Sequence, residues 1–339
     1  MSVLDKLKKV AKKDKQRILL PEGAEDRTVQ AAVYCRDQGF ADVTLFGNRK
    51  EIEATAAKYH LGLEGIGMID PEGDHMFQEY ADRFYEMRKT KGVTPEKAVE
   101  LMKNPLYYAA MMVKDGRGHG FISGAINTTA NTLRPGLQII KMAPGIKTVS
   151  SFFIMEVMDR HFGDRGILFF ADSAVNINPD ADQLSDIAIA TARNAKGLLG
   201  VEPRVAMLSF STHGSAKHEL VDKVQEATRL VKEKAPDILV DGELQLDAAL
   251  IPTVQELKAP DSPLKGKANI LIFPDVQAGN IGYKLVRTLG RAKAIGPVCQ
   301  GFASPINDLS RSCSVEDIIS MVAVTAVQAQ AQKRNAAKK

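Results

Sequence analysis

Apolar and polar positions along this chain switch repeatedly between two periods. "KQRILLPEG" is an apolar run closed by a turn, the pattern of a buried strand. "AEDRTVQAAVYCRDQGF" then spaces its apolar residues as an amphipathic helix does, and "ADVTLFGN" is a second strand. A strand–helix–strand order predicts parallel pairing. The alternation continues. Further strands are predicted at "GHGFISGA", "IKTVSSFFIMEV", "RGILFFADSAV", "PRVAMLSFS", "DILVDGEL" and "ANILIFPDV". Helices are predicted at "DADQLSDIAIATARNAKGLLG", "HELVDKVQEATRLVKEKA" and "NIGYKLVRTLGRAK". A last Ala/Val-rich helix is predicted from Ser314 to about Gln330.

At 339 residues the chain exceeds one ordinary core, so the α/β pattern is expected to divide into two domains. Pro/Gly-containing switches lie near 145 ("MAPGIKT") and 296 ("AIGPVCQ"). They suggest a first α/β domain of residues 1–146 and 297–339, completed by the C-terminal segment, and a second of residues 147–296. No apolar run approaches the ~18 residues of a membrane span, and no signal-peptide pattern is present. Cys35, Cys299 and Cys313 are far apart, which argues against a zinc site or disulfide framework and fits a reducing cytoplasm. The net charge of +4 is set by residues 1–17 and by the tail "QKRNAAKK", and the chain between them is net acidic. A nucleic-acid binder carries its basic residues on a folded face instead, so none is expected here.

In α/β proteins ligands bind where strands end and helices begin. "SGAINTTANTLRP" offers the Thr128 and Thr129 hydroxyls beside backbone N–H groups, and Arg134 as a bidentate phosphate grip. An N-capped helix with a surface arginine reads as well. "FSTHGSAKHE" is rich in hydroxyls and glycine but lacks phosphate-loop spacing, and a lone His213 in a loop is usually a bystander. In "FPDVQAGNIGYK", Asp275 suits a site or a helix cap equally. "NDLSRSCSVEDI" holds Ser310, Arg311 and Asp317; read locally, Ser314 and Asp317 form a capping box. Cys313 has no basic neighbour in sequence and reads as structural. No GxGxxG follows the first strand, so a dinucleotide fold is not supported.

Taken together and in order, "RILLPEGAEDRTVQAA", "NPLYYAAMMV", "SGAINTTANTLRPGLQIIK", "ADSAVNINPDADQLSDIA", "MLSFSTHGSAKHELVDKV", "VDGELQLDAAL", "LIFPDVQAGNIGYKLVRTLG" and "GPVCQGFASPINDLSRSCSVEDI" resemble the phosphate acetyltransferase (phosphotransacetylase) family along nearly the whole chain. The resemblance implies two α/β domains around a deep cleft, in an isocitrate/isopropylmalate dehydrogenase-like architecture. It implies a cytoplasmic homodimer joined through the second domain, in the short form without a regulatory extension. The implied reaction is acetyl-CoA + phosphate = acetyl phosphate + CoA. It is a direct transfer in a ternary complex, with no metal and no bound cofactor beyond coenzyme A as substrate. Asp317 falls where the family has its catalytic aspartate, which accepts the thiol proton. Ser310 and Arg311 fall where it holds the phosphoryl group and the charge at the carbonyl. Arg134, Thr128 and Thr129 fall in its anion pocket, and Arg88, in "EMRKTKGVT", matches an arginine contacting CoA or phosphate.

A thiol near 8.5 and an ordinary Asp near 3.9 leave proton transfer uphill by roughly 6 kcal/mol. A helix N-terminus widens that gap by favouring the carboxylate. The base role therefore predicts a buried Asp317 facing Ser310 and Arg311, whereas a side chain turned back onto the Ser314 amide is the capping alternative. Two rival readings are phosphate butyryltransferase, which shares the chemistry, and a non-catalytic acyl-CoA sensor.

Overall fold

The computed structural model describes residues 2–336. The last residues of the basic tail, 337–339, lie outside them. The chain forms two compact units, one reaching to Ala143 and resuming at Phe302, the other Pro144–Gly301.

The first unit begins with α1 (Val3–Ala11), β1 (Gln16–Leu20), α2 (Asp26–Gln38), β2 (Ala41–Phe46), α3 (Arg49–Lys58) and β3 (Gly67–Ile69). It continues with α4 (Phe77–Arg88), α5 (Pro95–Met102), α6 (Pro105–Lys114), β4 (Gly120–Ser123) and α7 (Thr129–Pro135). The second unit supplies β5 (Ser150–Glu156), β6 (Ile167–Ala171), α8 (Ala181–Leu199), β7 (Arg204–Leu208), α9 (Glu219–Lys234) and β8 (Leu239–Leu244). It closes with α10 (Leu246–Leu250), α11 (Pro252–Lys258), β9 (Ile270–Ile272), α12 (Val276–Thr288) and β10 (Lys293–Gln300). The chain then returns to the first unit as β11 (Ile306–Asp308) and α13 (Val315–Ala336).

The sheet of the first unit runs β11-β4-β1-β2-β3, with every pairing parallel. β4 is buried at consecutive positions, so both of its faces are covered. α13 packs on β1, β4, α2 and α1. It comes so close that a Cβ on Gly120 would lie 2.7 Å from Thr325 Cγ2 and 2.9 Å from the Pro305 carbonyl oxygen. Ile318, Met321, Val322, Val324 and Val327 are buried, and the polar residues among them are bonded. Asn307 Nδ2 donates to Thr325 Oγ1 and Gln328 Oε1 at 2.8 Å each. Gln330 Nε2 donates to the carbonyls of Val10, Ala11 and Asp14, closing the end of α1.

The second sheet runs β10-β5-β6-β9-β7-β8. Its β6, β9, β7 and β8 are parallel, but β5 is antiparallel to both β6 and β10. The parallel pairing expected from the first strand–helix–strand unit holds for β1 and β2, whereas this second sheet is mixed. "AIGPVCQ", read from sequence as a linker, lies inside β10, where the register slips between Ile295 and Val298. Proline has no N–H for a ladder, so its place in this strand is at that slip. Phe153, Met155, Leu168, Phe170, Leu271 and Phe273 form the centre of a core on one face of this sheet.

Candidate active site

Parallel pairing aligns the carboxyl ends of β11, β4 and β1, with Asp308 opposite Ser123. The segments leaving these strands hold most of the residues singled out from sequence.

Glu22 follows β1 and is buried. Its Oε2 accepts the N–H groups of Gly124 (3.0 Å) and Ala125 (2.8 Å). Its Oε1 accepts those of Ile126 (3.1 Å) and Asn127 (2.9 Å), and Asn127 Nδ2 (2.8 Å). The turn after β4 is thus wrapped around a carboxylate. Gly124 has φ +121°, and a Cβ there would stand 2.5 Å from the Leu309 carbonyl oxygen. The N–H groups of residues 124–127, just ahead of the Thr128–Thr129 cradle read from sequence, are therefore taken by Glu22. Thr128 caps α7 through the Asn131 N–H, at 3.3 Å.

Arg27, in the first turn of α2, joins this turn to the segment after β11. Its Nη2 donates to the Ala125 carbonyl (3.0 Å), its Nη1 to the carbonyls of Arg311 (2.9 Å) and Cys313 (2.7 Å), and its Nε to Glu25 (2.6 Å). That fixes the backbone of residues 311–313 and leaves the exposed Arg311 side chain with no carboxylate partner among the described residues. Ser310 is exposed, its Oγ 2.9 Å from Ser312 Oγ. Burial pushes the Cys313 thiol up to about 11, against the pull of Arg27, so it stays neutral.

Asp317 is half-buried and turned back toward Ser314. Its Oδ2 accepts the Ser314 N–H (2.8 Å) and hydroxyl (2.9 Å), and its own N–H donates to Ser314 Oγ (3.1 Å). This is the capping geometry.

Arg88 and Arg134 meet around Tyr107. Burial pushes that phenol up, and the charges of Arg134, Arg88 and Lys97 draw it back. Arg88 Nε is buried without a partner among the described residues, and Arg134 is exposed with none. Both guanidiniums are thus free of carboxylate partners among the described residues.

Sequence reasoning passed over Glu22, Arg27 and Asp308. Asp308 is 3% exposed, at the carboxyl end of β11. Its Oδ2 accepts the Thr129 hydroxyl at 2.6 Å, and its Oδ1 has no partner among the described residues. Burial pushes its carboxyl up to about 6, against the opposing pull of Thr129, the Leu309 N–H and Thr132, and the Glu22 charge adds slightly to the rise. No apolar run marks β11, so Asp308 lacked the strand-end signal that sequence offered for Asp275. Asp275 itself caps α12 through the Ala278 N–H at 2.9 Å, and His213 Nε2 lies 3.1 Å from Asp241.

A family model described as phosphate acetyl/butaryl transferase matches residues 2–326. A phosphate acetyltransferase of Thermoanaerobacterium thermosaccharolyticum is 56% identical over 330 residues, covering 97% of this chain and 100% of that protein. The solved phosphotransacetylase of Streptococcus pyogenes superposes with a TM-score of 0.92 at 41% identity, covering 97% of this chain and 99% of that one. The EutD phosphotransacetylase of Staphylococcus aureus gives 0.89 at 40% identity, covering 96% and 98%.

Proposed function

This chain belongs to the phosphate acetyl/butaryl transferase family, and on that footing we propose that it moves an acetyl group reversibly between coenzyme A and inorganic phosphate by direct attack of the thiolate in a ternary complex. Acetyl phosphate is a mixed anhydride whose phosphate leaves readily once its charge is held. Arg311 holds that charge together with the carbonyl oxygen as it becomes anionic, and Ser310 donates a hydrogen bond to the same group. Arg134 and Arg88 bind the phosphate-bearing ends of the substrates, with Thr128 and Thr129 lining the anion pocket. The reaction needs neither a metal nor a resident cofactor, because the guanidiniums carry the electrostatic task. The observation that supports this assignment best is that Arg88, Arg134 and Arg311 lack carboxylate partners among the described residues while the neighbouring Arg27 is fully engaged. Positioning two bound substrates supplies much of the remaining rate.

Asp317 takes the thiol proton. In the geometry above its Oδ2 is committed to Ser314, so the base is either Oδ1 or an Asp317 released from its cap. A cation near the sulfur, Arg311, lowers the thiol toward it. Asp317→Asn tests the role through its pH–rate profile. Loss of turnover, with the limb set by the base gone, is the expected result. A profile and rate like those of the wild type exclude the general base.

The acyl group is acetyl rather than butyryl. One or two methylenes are worth only about 1–3 kcal/mol in a pocket, so rates with acetyl-, propionyl- and butyryl-CoA decide it directly. Coenzyme A binding without phosphate-dependent transfer would instead mark an acyl-CoA sensor. The chain acts as a cytoplasmic homodimer joined through its second unit. The exposed Ile281 and Leu285 on α12 and Leu289 just after it, at 58%, 52% and 77% exposure, support an apolar contact there.

A further inference from the structure

The transfer as derived makes no use of Asp308, and three elements pack against its strand: β4, α7 and α13. β4 presents Ser123, its register partner, with a buried hydroxyl lacking a partner among the described residues. β4 is followed by Gly124, where a Cβ would stand 2.6 Å from Asp308 Oδ1. α7 presents Thr129, whose hydroxyl donates to Asp308, and Thr132 one turn on, whose buried hydroxyl is likewise unpartnered. The polar groups of α13 next to β11, Thr325 and Gln328, are committed to Asn307. The nearby charge acting on Asp308 is Glu22, of the same sign. No cation pairs with it among the described residues.

We propose that Asp308 is a positioning residue that takes up a proton when a phosphate dianion binds beside Thr129, and so sets the direction in which the Thr129 hydroxyl donates. The proposal rests on Thr129 lining the anion pocket. With Asp308 ionised, the single hydrogen of Thr129 lies in its bond to Oδ2, and the threonine oxygen offers an incoming anion only lone pairs. A dianion one hydroxyl away raises the affinity of Asp308 for a proton about tenfold or more. The carboxyl, already pushed up by burial, then takes a proton from solvent. The new carboxyl O–H donates to Thr129 Oγ, and the Thr129 O–H swings onto the phosphate. No substrate bond changes; one proton enters with the anion and leaves with it.

The test is the affinity of the full chain for acetyl phosphate without coenzyme A, measured by calorimetry between about pH 6 and pH 8. Wild-type affinity should weaken as pH rises, by about fivefold or more between pH 6 and pH 8. The amide of Asp308→Asn can donate to Thr129 as the protonated acid does. That variant should bind more tightly than wild type at the upper end, with affinity flat across the range to within about twofold. Thr129→Val should bind weakly and without pH dependence. A flat wild-type profile, or an Asp308→Asn variant keeping the wild-type slope, overturns the proposal. Thr129→Val binding as tightly as wild type overturns the pocket on which it rests. Should Asp308→Asn fail to fold, the wild type alone decides. Binding enthalpies in buffers of different ionisation enthalpy should report uptake of about half a proton per site or more near pH 6.5, and no uptake overturns the proposal.

Discussion

Glu22 and Asp308 are buried carboxylates at the ends of strands flanking β4 in one sheet, and their surroundings are opposite. Glu22 accepts five N–H hydrogen bonds, whereas Asp308 accepts the Thr129 hydroxyl as its one close bond, with only lesser help from the Leu309 N–H and Thr132. The cations divide in the same way, Arg27 bridging three segments while Arg311 is left without a carboxylate. A group surrounded by complementary partners is a fastener, because any change of charge or position breaks several bonds together. A group short of partners can exchange them, which is what substrate binding and proton transfer require. One sheet edge thus holds a fixed wall and a responsive wall.

The sharpest contrast should come from the responsive side. Arg311→Ala should lower turnover by about a thousandfold or more, roughly 4 kcal/mol of transition-state stabilisation, with no change in thermal midpoint. Ser310→Ala should lose less; equal losses would mean the two act as one unit. Next is Glu22→Gln, which sets an amide against N–H groups and should cost on the order of 4 kcal/mol in denaturant unfolding. A loss below 1 kcal/mol would break the comparison. Asp308→Asn should move stability the other way. Its folded carboxyl is raised from 3.8 to about 6, so the wild type loses stability as pH rises from about 4 through about 6. The variant escapes that loss and should be more stable by up to about 3 kcal/mol above pH 6, and no different below pH 4. Unfolding at both pH values measures it. Smallest is Ser314→Ala, which should cost about 1 kcal/mol of capping and leave turnover within about twofold. A large loss of turnover would tie the cap to the chemistry.

Most strands were legible because each is an apolar run bounded by turn residues, and β1, β2, β4 and β6 fall within the predicted segments. β10 was misread because Gly296 and Pro297 usually punctuate structure; only its pairing with β5 makes it a strand. The short β11 was missed because three residues carry no period. Within the site, residue type and local order made the capping box of Ser314 and Asp317 readable. The bonds from residue 22 to residues 124–127, and from 27 to 311–313, join positions a hundred or more apart, and no local pattern encodes them. Asp308 was invisible for a related reason. Its chemistry lies in what fails to surround it, and sequence does not record that.

Gln330 bonded to the carbonyls of Val10, Ala11 and Asp14 has a consequence for synthesis. When Gly301 leaves the ribosome, the second unit is complete, but the first still lacks β11 and α13. Until then the outer edge of β4 is unpaired, a liability for misassembly, and the end of α1 is unlatched. Residues 308–317 emerge almost last, together with the helix that seals the first core. A nascent or truncated chain can therefore carry a finished second unit and every arginine up to Arg291, and still lack the strand and helix that complete the first unit.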